Sequence, residues 1–177
     1  MHAARSLKLL LQWPVSDKPL AQVLASSSMG FRVMPWDCDF NLHLTNGIYP
    51  RWLDLARTRL FIELGAAGSF VRHGWRSVLA SQTITFIREI PPLASVTVRT
   101  QVLHIEAKYF YVEHRFEVNG RLHAKALARV AMLKKGKVQS LQRLLQHIQP
   151  DFFISDADMT PQVQAKIALL EAKKLAG

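Results

Sequence analysis

VMPWDCDFNLHLTNGIYPRWLDLARTRLFIELG, running from Val33 to Gly65, is the stretch whose reading decides the fold. Two carboxylates open it, Asp37 and Asp39, and His43 and Asn46 follow within one short polar segment. A strongly apolar run from Ile48 to Leu64 comes next, closed by Gly65. Inside that run Arg51, Asp54 and Thr58 recur at three- and four-residue spacing and mark one polar stripe, with Arg57 beside it. Apolar side chains cover most of the remaining surface, so the spacing predicts a helix wrapped by other structure. Pro50 is tolerated in a first turn that starts near Thr45 to Tyr49. Gly65 supplies the left-handed stop.

This order sets acid, imidazole and amide groups at the mouth of a buried helix. The unpaired N–H groups of the first turn and the helix dipole face the same point. An acid or base beside such an anion-stabilising end is equipment for attack on a carbonyl. Asp39, Asn41, Thr45 and Asn46 are equally good turn and cap residues. Residue types alone therefore support a structural loop as well as a reactive one.

The segment D-C-D-F-N-L-H-L-T-N-G-I-Y-P-R-W-L-D-L-A-R resembles the signature of hotdog-fold acyl-CoA thioesterases of the 4-hydroxybenzoyl-CoA thioesterase type. Asp37, Asp39, His43, Asn46, Tyr49, Trp52, Asp54, Ala56 and Arg57 fall on matching positions, and weaker matches continue to about Lys135. Two departures are visible. Leu42 stands where many members have Gly, and Thr45 replaces the first of two Asn. The resemblance implies an α+β hotdog fold, a long helix wrapped by a curved antiparallel sheet. It also implies a homodimer or dimer of dimers with the active site between subunits, and a thioester of coenzyme A or acyl-carrier protein as substrate.

On that basis Asp39 is expected as general base or nucleophile. Backbone amides near Asn46 and Gly47 would hold the thioester oxygen, and His43 would position water, touch the thioester or pack the loop. Tyr49 is expected to line the acyl pocket, or to be plain core, and Arg88, Lys134, Lys135 and Lys137 are candidates for coenzyme A phosphates, the alternative for each being a solvated surface residue. Asp37 is placed on the substrate side, chiefly by fixing the loop through backbone hydrogen bonds. No resident cofactor and no metal site are expected, coenzyme A entering only as part of the substrate. The alternative is a hotdog protein that binds the acyl carrier without turning it over.

Composition fits this frame. With 177 residues, 49% apolar and 20% charged, the chain suits one soluble domain with a sizeable core. Its net charge of +10 attracts anions in general. No helix-turn-helix, zinc-ligand spacing or ribonucleoprotein-type aromatic motif supports a nucleic-acid partner. The lone Cys38 excludes an internal disulfide and points to a reducing, cytoplasmic setting. Its aspartate neighbours would raise its pKa, so a packed, inert thiol is expected. Near the start, Leu9 to Leu11 form an apolar core too short for a secretory signal, and no stretch has the length of a membrane span.

Three parts are expected: an N-terminal helical extension over 1–28, the thioesterase-like domain over 29–138, and a C-terminal helical extension over 139–177. Asp17-Lys18-Pro19 reads as a helix start and Ser26 to Ser28 as its end. Phe31 to Met34 should be a short strand, and Ala66 to Ser69 a connection. Strands follow over Trp75–Ile90, Ser95–His104 and Lys108–Val118, with Asn119-Gly120 as a hairpin turn. Leu122 to Met132 should return with a small alanine face against which the helix can lie. Lys134 to Lys137 should turn, followed by helices over Ser140–Ile148 and Gln162–Leu175, the latter capped by Thr160-Pro161.

Overall fold

A computed structural model describes residues 15–153 and 159–175. The expectations for the first residues, Met1 to Trp13, lie outside that range. The elements are α1 (Leu20–Ala25), β1 (Ser27–Arg32), α2 (Ile48–Glu63), α3 (Ala67–His73), β2 (Trp75–Phe86) and β3 (Ser95–Ile105). They continue with β4 (Phe110–Val118), β5 (Arg121–Lys134), β6 (Lys137–Gln139), α4 (Leu141–Ile148) and α5 (Pro161–Leu175). The strands form one antiparallel sheet in the order β1-β3-β4-β5-β2, with β6 also pairing β5.

α2 lies along the inner face of this sheet. Leu53 and Ala56 of the helix share a cluster with Ala124 and Ala126 of β5 and with Val96 and Val98 of β3. The alanines are fully buried, and their small side chains let the helix backbone approach the sheet. Towards its C-terminus α2 enters a second cluster, where Leu60, Phe61 and Leu64 meet Phe110, Val130, Leu144 and Leu145. This is the helix-in-curved-sheet arrangement that the resemblance implies.

Local chemistry explains the boundaries. Gly65, at φ 75°, donates to the Ile62 carbonyl and Ala66 donates to that of Phe61, which together make a Schellman stop. Asn119 and Gly120 both have positive φ, 50° and 75°, the backbone a two-residue hairpin needs to match strand twist. Ser140 caps α4, its Oγ accepting from the Arg143 amide at 3.3 Å.

Several expectations are corrected. β1 begins at Ser27, where the helix was expected merely to end, because Ser27 to Arg32 pair in register with Thr100 to Ser95. Residues 67–73 form a helix rather than a bare connection, since Phe70 packs on Phe61 and Gly74 ends the turn at φ 68°. β2 stops at Phe86, because the Ile87 and Arg88 amides both donate to the His123 carbonyl and end the ladder. The Thr160 hydroxyl makes no hydrogen bond among the described residues; the residue's carbonyl accepts from Val163 and Gln164 instead.

Arg57 does not share the solvated stripe. It is buried, and its guanidinium bonds Asp54 and the Gln82 side chain, the latter at 2.9 Å. It also lies 3.4 Å from Nε2 of the fully buried His114. Arginine only donates, so Nε2 is the acceptor, and the His114 Nδ1–H donates to Thr100 Oγ1 at 3.0 Å. Burial, followed by the Arg57 charge, holds the His114 pKa well below its usual value. The folded protein therefore keeps this imidazole neutral, whereas the unfolded chain protonates it below about pH 6.5. That part of the stability is present above pH 6.5 and lost below it, by about 1.4 kcal/mol per pH unit. Melting of wild type and His114→Gln between pH 7.5 and 5 checks this, the variant losing less stability. Equal losses would remove His114 from the acid limb.

Candidate active site

Two bonds draw the aspartate loop together. The Thr45 amide donates to the Asp37 carbonyl at 2.9 Å, and the Asp39 amide to that of His43 at 3.1 Å. Cys38 and Leu44 form an isolated bridge between them. The tip turns through Leu42, whose φ is 59°, a left-handed conformation that glycine adopts freely and leucine at a cost of about 1–2 kcal/mol. The sequence departure at this position therefore sits in a strained turn. The Leu44 amide ties the loop to the Ile90 carbonyl at 2.8 Å.

Asp39 and His43 face each other across this loop, with His43 Nδ1 3.7 Å from Asp39 Oδ1. The same oxygen accepts from the Asn41 amide at 2.9 Å, an Asx turn. Oδ2 has no hydrogen-bond partner among the described residues. Asp37 accepts through Oδ2 from the Met34 amide at 3.0 Å. It lines a separate hollow with Trp36, Ile48 and Arg51.

A cleft of about 190 Å³ opens at the mouth of α2, lined by His43, Leu44, Asn46 and Tyr49 on one side and residues 86–89 on the other. Asp39 and Gly47 are not on its walls; Asp39 reaches it through His43. Among the described residues, the Asn46 and Gly47 amides have no backbone acceptor, and both residues are exposed. A methyl group added at Gly47 would meet nothing within 4 Å, so a ligand can approach this end of the helix. Tyr49 packs its ring 4.9 Å from Phe86 and from Phe116, and burial pushes its hydroxyl pKa up to about 12. Arg88 sits on the rim and donates to the Leu122 carbonyl at 2.6 Å.

Cys38 lies half-buried between the aspartates, its thiol 3.7 Å from the Met34 carbonyl. Burial first, and then Asp37 and Asp39, push its pKa up, which disfavours the thiolate. Cys38→Ser should keep any hydrolysis within about twofold, read by thiol release. A collapse of turnover would make Cys38 part of the chemistry.

The family is settled by a match to the Thioesterase-like superfamily over residues 33–167. The chain belongs to that superfamily. Protein THEM6 of Xenopus laevis is 34% identical over 110 residues, a stretch covering 62% of this chain and 51% of that relative. The chain therefore spans about half the length of this curated relative. Among solved structures, the thioesterase-like domain superposes on BH1999 gentisyl-coenzyme A thioesterase with a TM-score of 0.62 at 22% identity, covering 69% and 98% of the two chains. A Staphylococcus aureus hypothetical protein solved in complex with CoA gives 0.63 at 11% identity, covering 75% and 87%. These likenesses establish the hotdog fold of this thioesterase-like protein.

Among its described residues no group of His, Cys, Asp and Glu converges to hold a metal. None of its helices there is long and apolar enough to cross a membrane. Sequence reasoning missed the buried Arg57–His114–Thr100 network. The available signal was His114 on the inward face of an otherwise apolar alternation.

Proposed function

We propose that this protein hydrolyses acyl-CoA thioesters. The observation that supports the reading best is the cleft at the α2 mouth, where the free Asn46 and Gly47 amides stand near the Asp39–His43 pair. Asp39 takes a proton from water, and the water oxygen attacks the thioester carbonyl. The amides steady the resulting oxyanion, and its collapse expels the thiolate, giving a carboxylic acid and a free thiol. His43 orients the water, Tyr49 walls the acyl end, and Arg88 meets charge at the rim. Water, a base and two donors suffice, so no resident cofactor takes part. A single thiol without a disulfide suits a reducing, cytoplasmic compartment.

A second copy of the chain belongs to this reading. The cleft falls below the roughly 300–1,000 Å³ of sites that enclose a small molecule. Exposed Trp36, Phe40 and Leu42 surround the aspartate loop. β2 is an edge strand of 12 residues, mostly uncovered, with Val78, Leu79 and Phe86 exposed. Such an edge invites pairing, and antiparallel pairing of β2 with its own copy would bury it.

The test is thiol release from a panel of short, long and aromatic acyl-CoA esters, with sedimentation for the dimer. One observation favours a second reading, an acyl-carrier-binding protein without turnover: Asp39 is held in its Asx turn, off the cleft wall. Stoichiometric binding with no thiol release across the panel would select it.

A further inference from the structure

At the far end of β2 from the cleft lies a hollow of about 600 Å³. Lys134, Lys135, Lys137 and Arg143 line it together with Trp75 and His147, and no carboxylate does. None of the four cations forms an ion pair among the described residues. Arg143 is steered by the Gln139 side chain at 2.7 Å, and the Lys134 ammonium sits 5.2 Å from the centre of the Trp75 ring. Trp75 is only 2% exposed, yet its indole N–H has no acceptor among the described residues. A buried donor without a partner is costly. Like charges gathered without a counter-ion repel one another, by about 1 kcal/mol per pair at 4 Å even in water. One bound polyanion relieves both.

Distance decides which active site such an anion could serve. β2 runs from Trp75 to Phe86, and at about 3.3 Å per residue its ends lie roughly 36 Å apart. One substrate molecule does not bridge that span within a single chain. Antiparallel pairing of β2 with its own copy reverses one strand against the other. The Trp75 end of each copy then lies beside the Phe86 end of its partner, next to the cleft. Trp75, which lines the hollow, and Tyr49, which lines the cleft, both belong to the core packed between α2 and the sheet.

We propose that the hollow at Trp75, Lys134, Lys135, Lys137 and Arg143 is a phosphate site acting in trans, holding the phosphates of a thioester carrier bound in the partner's cleft. This rests on the thioesterase reading and on its β2-paired dimer. Lys135, in the turn, and Lys137, at the first position of the short strand β6, are both exposed, so reversing their charge should leave folding nearly untouched.

The experiment uses the full chain, with the double variant K135E/K137E, and adenosine 3′,5′-bisphosphate as probe. Wild type should bind the probe saturably, and the double variant at least tenfold more weakly. Wild type should also prefer acyl-CoA to the acyl-pantetheine that lacks these phosphates, a preference that collapses in the variant through KM rather than kcat. Mixed dimers of the double variant with Asp39→Asn should regain activity on acyl-CoA, because one cleft then has both Asp39 and the partner's cations. Equal probe binding by wild type and K135E/K137E overturns the site, and an inactive mixed dimer overturns its action in trans. Should wild type hydrolyse nothing, the thioesterase reading fails by itself. Probe binding lost in the double variant would then still support the site, and binding kept would overturn it.

Discussion

Asp39→Asn should fold and assemble as wild type does, yet lose hydrolysis of acyl-CoA by about 10²–10⁴-fold, the range in which a positioned acid or base contributes. The amide oxygen of Asn can still accept from the Asn41 amide, which Asp39 Oδ1 holds at 2.9 Å, so the Asx turn survives. What disappears is the group able to take a proton from water. The loss should fall on kcat, since Asp39 is not on the wall of the cleft and contributes little to ground-state binding. His43→Gln should fall short of that loss, because the imidazole stands between acid and cleft instead of supplying the base. Steady-state thiol release at saturating substrate reads both. Undiminished turnover by Asp39→Asn would take the carboxylate out of the mechanism and leave the carrier-binding reading in its place.

Phe61→Ala should have the largest effect on stability, about 3–5 kcal/mol. The ring is buried on α2, 5.1 Å from Phe70 of α3 and 6.3 Å from Phe110 of β4. It thereby joins the C-terminal half of the central helix to both the following helix and the sheet. Deleting it leaves a cavity among large side chains that have little room to collapse. Set against a total of about 5–15 kcal/mol, the melting temperature should drop on the order of 10 °C. The helix mouth lies at the other end of α2, so turnover by the fraction still folded should hardly change. A shift smaller than a few degrees would show that the Leu144–Leu145 side of the cluster carries the joint without it.

The central helix and hairpin were legible because each rests on local chemistry. Gly65 stops α2 as glycine must, and Asn119-Gly120 turns as that pair does in almost any context. In β4 the alternation of Phe110, Val112, His114, Phe116 and Val118 is readable from the sequence; the first four are buried and Val118, at the strand end, is partly buried. What escaped depends on partners distant in sequence. Ser27 becomes strand only because Thr100 lies opposite it, and Arg57 is internal only because Gln82 and His114 receive its guanidinium. At the site, Asp39, His43 and Asn46 were recognised as neighbours from spacing. Their division between the loop interior and the cleft wall depends on how residues 86–89 cross in front of the helix, which no short motif records.

The open flank of β2 has a thermodynamic consequence of its own. The second copy proposed to seat there would bind the folded chain and not the unfolded one, so mass action would make the melting point climb with protein concentration. Dilution would thus expose a different molecule from the one present in a concentrated sample, with twelve residues of backbone again competing for whatever strand arrives first.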